Sequence, residues 1–105
     1  MIFDLRVYTL RPGMLATWLK MYEEYGHPTQ VKHCGPPVFY ATTEVGPLNQ
    51  VVHVWQYDSQ ADREKKRDAL MQDPVFKEYL RRSAEMGAHA EQENRILKSV
   101  SFSPL

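Results

Sequence analysis

The chain is poor in the residues that announce most chemistries. It holds one cysteine, Cys34, so no disulfide can form within it and a reducing compartment is the expected setting. It lacks an excess of charge of either sign, with thirteen Lys and Arg against thirteen Asp and Glu. Phosphate backbones and anionic membranes select surplus cations, so this balance argues against both as partners. The basic run "REKKR" (Arg63–Arg67) sits among acidic neighbours and reads as a solvated helix face. No apolar run approaches the ~20 residues that span a bilayer. The start "MIFDLRVY" lacks the basic and apolar regions of a signal peptide, so a cytoplasmic location is expected. A glycine-rich phosphate loop and a Gly-x-Ser-x-Gly elbow are both missing, which argues against nucleotide binding and serine hydrolysis. His27, His33 and Cys34 have no recognised metal spacing, so neither a metal nor another cofactor is expected. A thiol beside a histidine suggests activation, but sequence neighbours often point apart and no third partner is visible for Cys34.

What is present suits one folded domain over residues 1–105, with 43% hydrophobic and 25% charged residues. Ile2 to Leu10 alternate as a strand does, with Phe3, Leu5, Val7 and Thr9 on one face and Asp4, Arg6, Tyr8 and Leu10 on the other. "RPG" (Arg11–Gly13) breaks it. Leu15, Trp18, Leu19 and Tyr22 follow at i, i+3, i+4 and i+7, the apolar stripe of a helix that Gly26 and Pro28 stop or kink. A further helical turn is expected from Pro28 to His33. Val38 to Thr43 and Gln50 to Tyr57 are β-rich and are joined by a short loop with Gly46 and Pro47, so they read as an antiparallel pair. Ser59 caps a helix whose thin apolar side is Ala61, Ala69 and Leu70. Asp73 caps the next, with Pro74 at its first position, a buried stripe of Val75, Phe76, Tyr79 and Leu80, and a stop at Gly87. A last strand is expected over Arg95 to Phe102.

This order is the βαββαβ of a ferredoxin-like α+β fold, a four-stranded antiparallel sheet with helices on one face. The strands nevertheless carry apolar groups on both faces. One side of the third strand holds Val51, His53, Trp55 and Tyr57; the other holds Val52, Val54 and Gln56. The helices of one chain cover one face, so the expected cover for the other is a second copy, in a homodimer joined through the sheets.

Several motifs resemble those of the NIPSNAP family: "RVYTLRPG" (Arg6–Gly13), "TTEVGPLNQVVHVWQYDS" (Thr42–Ser59), the Arg63–Leu80 segment and the closing "FSPL" (Phe102–Leu105). The resemblance spans nearly the whole chain. It implies a dimeric α+β barrel, two ferredoxin-like subunits joining sheets across a two-fold axis. That superfamily includes cofactor-independent monooxygenases of polycyclic phenols, haem-degrading enzymes and small isomerases, while NIPSNAP-type members have no settled activity. One fold hosts many chemistries, so activity does not follow from fold.

His53 is the leading candidate for chemistry, as a base near neutral pH. A lone strand histidine is more often structural, but a third strand beside the first would put Arg6 and Tyr8 on the same face as His53 and Trp55. Glu44 and Asn49 flank the loop before that strand, where turns use such side chains locally and pocket mouths are also built. Glu44 is the expected carboxylate between His53 and Arg6. Trp18 and Tyr22 read as core, and their rings are also placed to line a cavity between helices and sheet. Three functions compete. One is a metal-free monooxygenase or isomerase on a flat, mostly apolar substrate, with His53 as base, Arg6 and Asn49 orienting an anion or carbonyl, and Trp55 and Tyr8 stacking. The second is a non-catalytic dimeric binding or scaffold module. The third is a haem-handling protein with His53 or His33 as axial ligand.

Overall fold

The computed structural model describes residues 1–105, and the alternating N-terminal segment lies inside its sheet. β1 (Ile2–Leu10) runs between β3 (Gln50–Tyr57) and β4 (His89–Lys98), antiparallel to both, and β2 (Phe39–Thr42) pairs with the far side of β3. The order β2-β3-β1-β4 is that of a ferredoxin-like chain. β1 and β3 have the bounds that their alternation predicts. The last strand does not: it starts at His89 and stops at Lys98, instead of running from Arg95 to Phe102. "HAEQEN" is too polar to read as a strand by itself, but β1 offers it an open edge, from Ile2 opposite Lys98 to Leu10 opposite His89. Pairing overrides local preference here.

The first helical run is continuous from Leu15 to Cys34. It comprises α1 (Leu15–Met21), a π-helical turn (Tyr22–Gly26) and α2 (His27–Cys34). Gly26 and Pro28 therefore mark a change of pitch and not a stop. Pro28 follows the π-helical turn directly, in the first turn of α2. Gly26 is buried, and a Cβ placed on it would lie 2.8 Å from the Tyr22 ring and 2.9 Å from the Tyr79 ring. The absent side chain is what lets those two rings close over the backbone.

α3 (Gln60–Gln72) and α4 (Pro74–Met86) are separate helices, as the caps predict. The Ser59 hydroxyl accepts from the Asp62 N–H at 3.1 Å, and Asp73 Oδ1 accepts from the Val75 N–H at 2.9 Å. Gly87, at φ +62°, ends α4 in the left-handed conformation that glycine adopts without strain. Asp73 Oδ2 also meets His33 Nε2 at 2.8 Å, which ties the end of α2 to the start of α4.

The inward faces of these helices differ from expectation. Phe76, Tyr79 and Ser83 form the buried arc of α4, while Val75 and Leu80 are 58% and 39% exposed. On α3 only Leu70 is buried; Ala61 and Ala69 are exposed, and Arg63, Lys66 and Arg67 are half-buried. The basic run is thus not a purely solvated face. A carboxylate on the sheet beneath, Asp4, turns α3 by drawing Arg63 inward.

The helices cover the sheet face of Ile2, Tyr8, Leu10, Tyr40, Val51, Trp55 and Tyr57. The opposite face presents Phe3, Leu5, Val7, Val52, Val54, Phe39 and Leu97, with Phe39 47% and Leu97 43% exposed. It is fringed by Glu91, Glu93 and Arg95 of β4.

Two outcomes test this packing. Alanine is a better helix former than glycine by about 1 kcal/mol, yet Gly26→Ala is expected to destabilise by about 1–3 kcal/mol, because overpacking between two fixed rings outweighs propensity. Urea unfolding measures it, and a stabilised variant would refute the close contact. Asp73→Ala should lower the unfolding midpoint more than Asp73→Asn, which keeps an oxygen for the Val75 N–H.

Candidate functional site

Strand register builds a polar row across the helix-covered face. Arg6 pairs with His53 on one side and Asn94 on the other, and His53 pairs in turn with Tyr40. Two residue pairs along, and so on the same face, Asp4 lies opposite Trp55. Alternation alone therefore delivers an imidazole, a guanidinium, a carboxylate and an indole to one patch under the helices.

His53 is only 1% exposed. Trp55 Nε1–H donates to its Nδ1 at 2.7 Å. An indole N–H can only donate, so the imidazole lone pair is on Nδ1 and the proton is on Nε2. That Nε2 is buried without a partner. Tyr40 stacks on the ring at 4.3 Å between centroids, and Tyr8 meets it edge-on at 4.7 Å. Burial, and then the positive charge of Arg6, push the His53 pKa from its ordinary 6.5 down to about 3. At neutral pH His53 is thus a neutral hydrogen-bond donor. The role of base requires a free lone pair, and Trp55 occupies it.

Arg6 is fixed from two sides. Its Nε donates to the Tyr8 hydroxyl at 3.1 Å and its Nη1 to Asp4 Oδ2 at 3.1 Å. Asp4 has no exposed surface; Arg63 Nε also donates to its Oδ2 at 3.0 Å, and Asn94 Nδ2 donates to its Oδ1 at 3.2 Å. Burial acts to raise the Asp4 pKa, but the Arg6 charge and the bonds from Asn94 and Arg63 outweigh it and hold the group below the usual carboxylate value.

A cavity of about 200 Å³ opens over this patch. Arg6, Tyr8, Tyr40 and His53 contribute from the sheet, Tyr22 and Gln30 from the first helical run, Arg67 and Met71 from α3, and Phe76, Tyr79 and Ser83 from α4. A wider cleft of about 590 Å³ lies alongside, lined by Leu19, Glu23, His27 and Thr42, and Tyr22 and Tyr40 line both spaces. Those two rings stack at 5.2 Å, and Tyr22 stacks on Trp18 at 5.3 Å. The Tyr22 hydroxyl is 2.8 Å from Gln30 Oε1 and 3.2 Å from His27 Nδ1.

Of the residues singled out in the sequence, Arg6, Tyr8, Tyr22 and His53 meet at the cavity. Trp18 and Trp55 have no exposed surface and stand behind its wall, Trp18 donating to the Ser83 hydroxyl at 3.4 Å and Trp55 to His53. Glu44 lies in the exposed loop between β2 and β3, and the carboxylate that holds Arg6 is Asp4. Asn49 shapes the backbone: it adopts φ +69°, and its carbonyl accepts from the Leu10 N–H at 2.8 Å. His33 is engaged by Asp73, away from the cavity. Cys34 is buried, and burial pushes its thiol up, away from the reactive thiolate. Sequence reasoning missed Asp4, Gln30, Tyr40 and Arg67. Asp4 was detectable, since it shares the alternation face of Arg6 and Tyr8.

A family model described as NIPSNAP matches residues 3–104. A NipSnap homolog from Dictyostelium discoideum is 38% identical over 78 residues, which are 73% of this chain and 34% of that protein. The chain spans about a third of the length of such relatives. A crystal structure of a protein from Agrobacterium tumefaciens superposes with a TM-score of 0.93 at 36% identity, covering 100% of this chain and 99% of that one. A putative antibiotic biosynthesis monooxygenase from Nitrosomonas europaea superposes at 0.68 with 11% identity, over 95% of this chain and 99% of that one, a likeness of fold alone. The chain belongs to the NIPSNAP family.

The protonation of His53 is directly measurable. The folded ring takes up its proton only near pH 3, while the unfolded ring does so near 6.5. Between those values the unfolded chain holds more protons, so stability falls as pH is lowered through the window, by about 1.4 kcal/mol per unit. His89, also pushed down by burial, adds in the same direction. Asp4 loses its contribution only lower, as pH falls through its depressed value. From pH 7 to pH 5 the unfolding free energy should drop by about 2 kcal/mol from His53, and His53→Gln should flatten that slope. Nitrogen-15 spectra should show a protonated Nε2 and a bare Nδ1 at pH 6; an imidazolium there would refute the assignment.

Proposed function

We propose that this NIPSNAP-family chain is a homodimeric small-molecule pocket protein that holds a flat ligand between sheet and helices and polarises an oxygen of it through His53 and Arg6. The observation that carries this reading is the buried, unpartnered Nε2–H of His53 beside the 200 Å³ cavity. A buried donor without an acceptor costs about 1–3 kcal/mol. A strand built only for packing avoids that cost with Val or Ile, so the donor is kept for something that enters.

The chemistry this supports is electrophilic. A neutral imidazole aimed at an oxygen can stabilise developing negative charge, as neutral histidines do in some isomerases. Isomerisation and cofactor-independent oxygenation both build charge on a substrate oxygen, and both suit His53 as donor with Arg6 beside it. Trp55 and Asp4 are positioning residues: one sets the tautomer of His53, the other the place of Arg6. The haem-handling reading draws no support from this site. A macrocycle needs more than 200 Å³, since pockets for drug-sized molecules run to ~300–1,000 Å³.

Dimerisation is supported by the open sheet face. Phe39 and Leu97 are 47% and 43% exposed on it, and Val52 between them is partly exposed. A second copy laid sheet to sheet would bury this face, and stable interfaces of this kind remove ~1,200–2,000 Å² or more. A scaffold role without turnover would use the same dimer and leave the cavity idle.

Two experiments check these points. Light scattering at micromolar concentration should give twice the 12.3 kDa of the chain, and Val52→Glu should give monomers; a wild-type monomer refutes the dimer. For the pocket, His53→Leu should destabilise by about 1–3 kcal/mol because the Trp55 N–H loses its acceptor. His53→Leu with Trp55→Phe should recover most of that, since both polar partners are then gone. If the stable double variant still binds the one-ring phenols and carbonyl compounds that shift cavity resonances in the parent, His53 is structural only and the reading fails.

A further inference from the structure

We infer that the ligand of this cavity is a small planar anion, a one-ring carboxylate or an equally acidic oxyanion, and that Arg67 is the residue that binds its charge; this deepens the pocket reading above and rests on it. The wall of the cavity carries two guanidinium groups, Arg6 and Arg67, and no carboxylate. Arg6 has a partner in Asp4. Arg67 forms no ion pair, although its neighbour one turn back, Arg63, bonds Asp4. Around the site three guanidiniums thus share one carboxylate, which leaves a surplus of positive charge.

Such a surplus over a half-buried space is unfavourable unless an anion completes it. A guanidinium matches a carboxylate in shape, because its N–H groups lie in one plane and pair with both oxygens. The buried His53 Nε2–H and the unpartnered Tyr40 hydroxyl add neutral donors to the same wall. The aromatic rings of Tyr8, Tyr22 and Tyr79 supply flat apolar sides.

Size narrows the class further. About 200 Å³ lies below the ~300–1,000 Å³ of drug-sized pockets, so a single ring with its acidic group fits and a polycyclic skeleton does not.

Benzoate, benzamide and benzylamine share one ring and differ in charge, so they separate charge from shape. Each is titrated into the 105-residue chain and followed by amide and side-chain NMR shifts. Benzoate is expected to saturate shifts at Tyr8, Gln30, His53 and Tyr79, at least 10-fold more tightly than benzamide, with benzylamine excluded. Arg67→Gln should weaken benzoate 10-fold or more and leave benzamide unchanged, while Arg67→Lys restores part of the loss. Unchanged unfolding midpoints confirm that both variants fold. Equal binding of benzoate and benzamide overturns the anion while leaving the pocket standing. Saturable binding of benzoate that is indifferent to Arg67→Gln overturns the role of Arg67. If none of the three moves cavity resonances, this inference and the pocket reading both fall.

Discussion

A carboxylate with no exposed surface cannot stand alone, and the arrangement around Asp4 follows from that constraint. Its oxygens are met by Arg6 from its own strand, Asn94 from β4 and Arg63 from α3. Removing the carboxylate would take from Arg6 and Arg63 the partner they share, and breaking a buried ion pair costs about 3–5 kcal/mol. The hub therefore joins the centre of the sheet, its edge strand and a helix that has only Leu70 buried. It also sets the rotation of α3. With Arg63 turned inward, Arg67, four residues on, shares its face and reaches the cavity.

The second dependence runs through Trp55. Two residues along β3 from His53, it lies on the same face, and its N–H settles which imidazole nitrogen carries the proton. A histidine beside an arginine reads in sequence as a base near neutral pH. Burial, the arginine and the indole together make it the opposite, a neutral donor. The residues at the site were legible; the polarity of the histidine depended on a contact that alternation places nearby but does not orient.

What was legible has a common physical cause. Period-two alternation fixed β1 and β3, their shared face, and the meeting of Arg6, Tyr8 and His53. Caps fixed the break between α3 and α4. What was hidden depended on partners far away in the chain. β4 is polar and became a strand because β1 had a free edge. Arg63 and Arg67 looked solvated because Asp4, 59 residues before Arg63, is invisible to a helical wheel. Glu44 looked like the natural carboxylate because it flanks β3, but the loop carries it into solvent while Asp4 lies beneath the helices. Tyr40 was missed because a four-residue edge strand gives too few alternations to assign a face.

The two faces of the sheet divide the remaining work. Beneath the helices the row Tyr40, His53, Arg6 and Asn94 is polar, and its donors are only partly satisfied from within the chain. On the far side Phe3, Val52 and Val54 are apolar, and the charges of that face, Glu91, Glu93 and Arg95, stand on the edge strand β4. A sheet with this asymmetry cannot gain stability from its polar row as it does from its apolar one; burial there costs desolvation that hydrogen bonds only offset. The room for that row comes from the first helical run. Its π-helical turn and the bare Gly26 let Tyr22 and Tyr79 close over the backbone, which makes an aromatic roof from two rings that a regular helix with a side chain at that position would hold apart. The contact at Gly26 is tight, and the cavity with its unpaired donor lies under the roof that those two rings make.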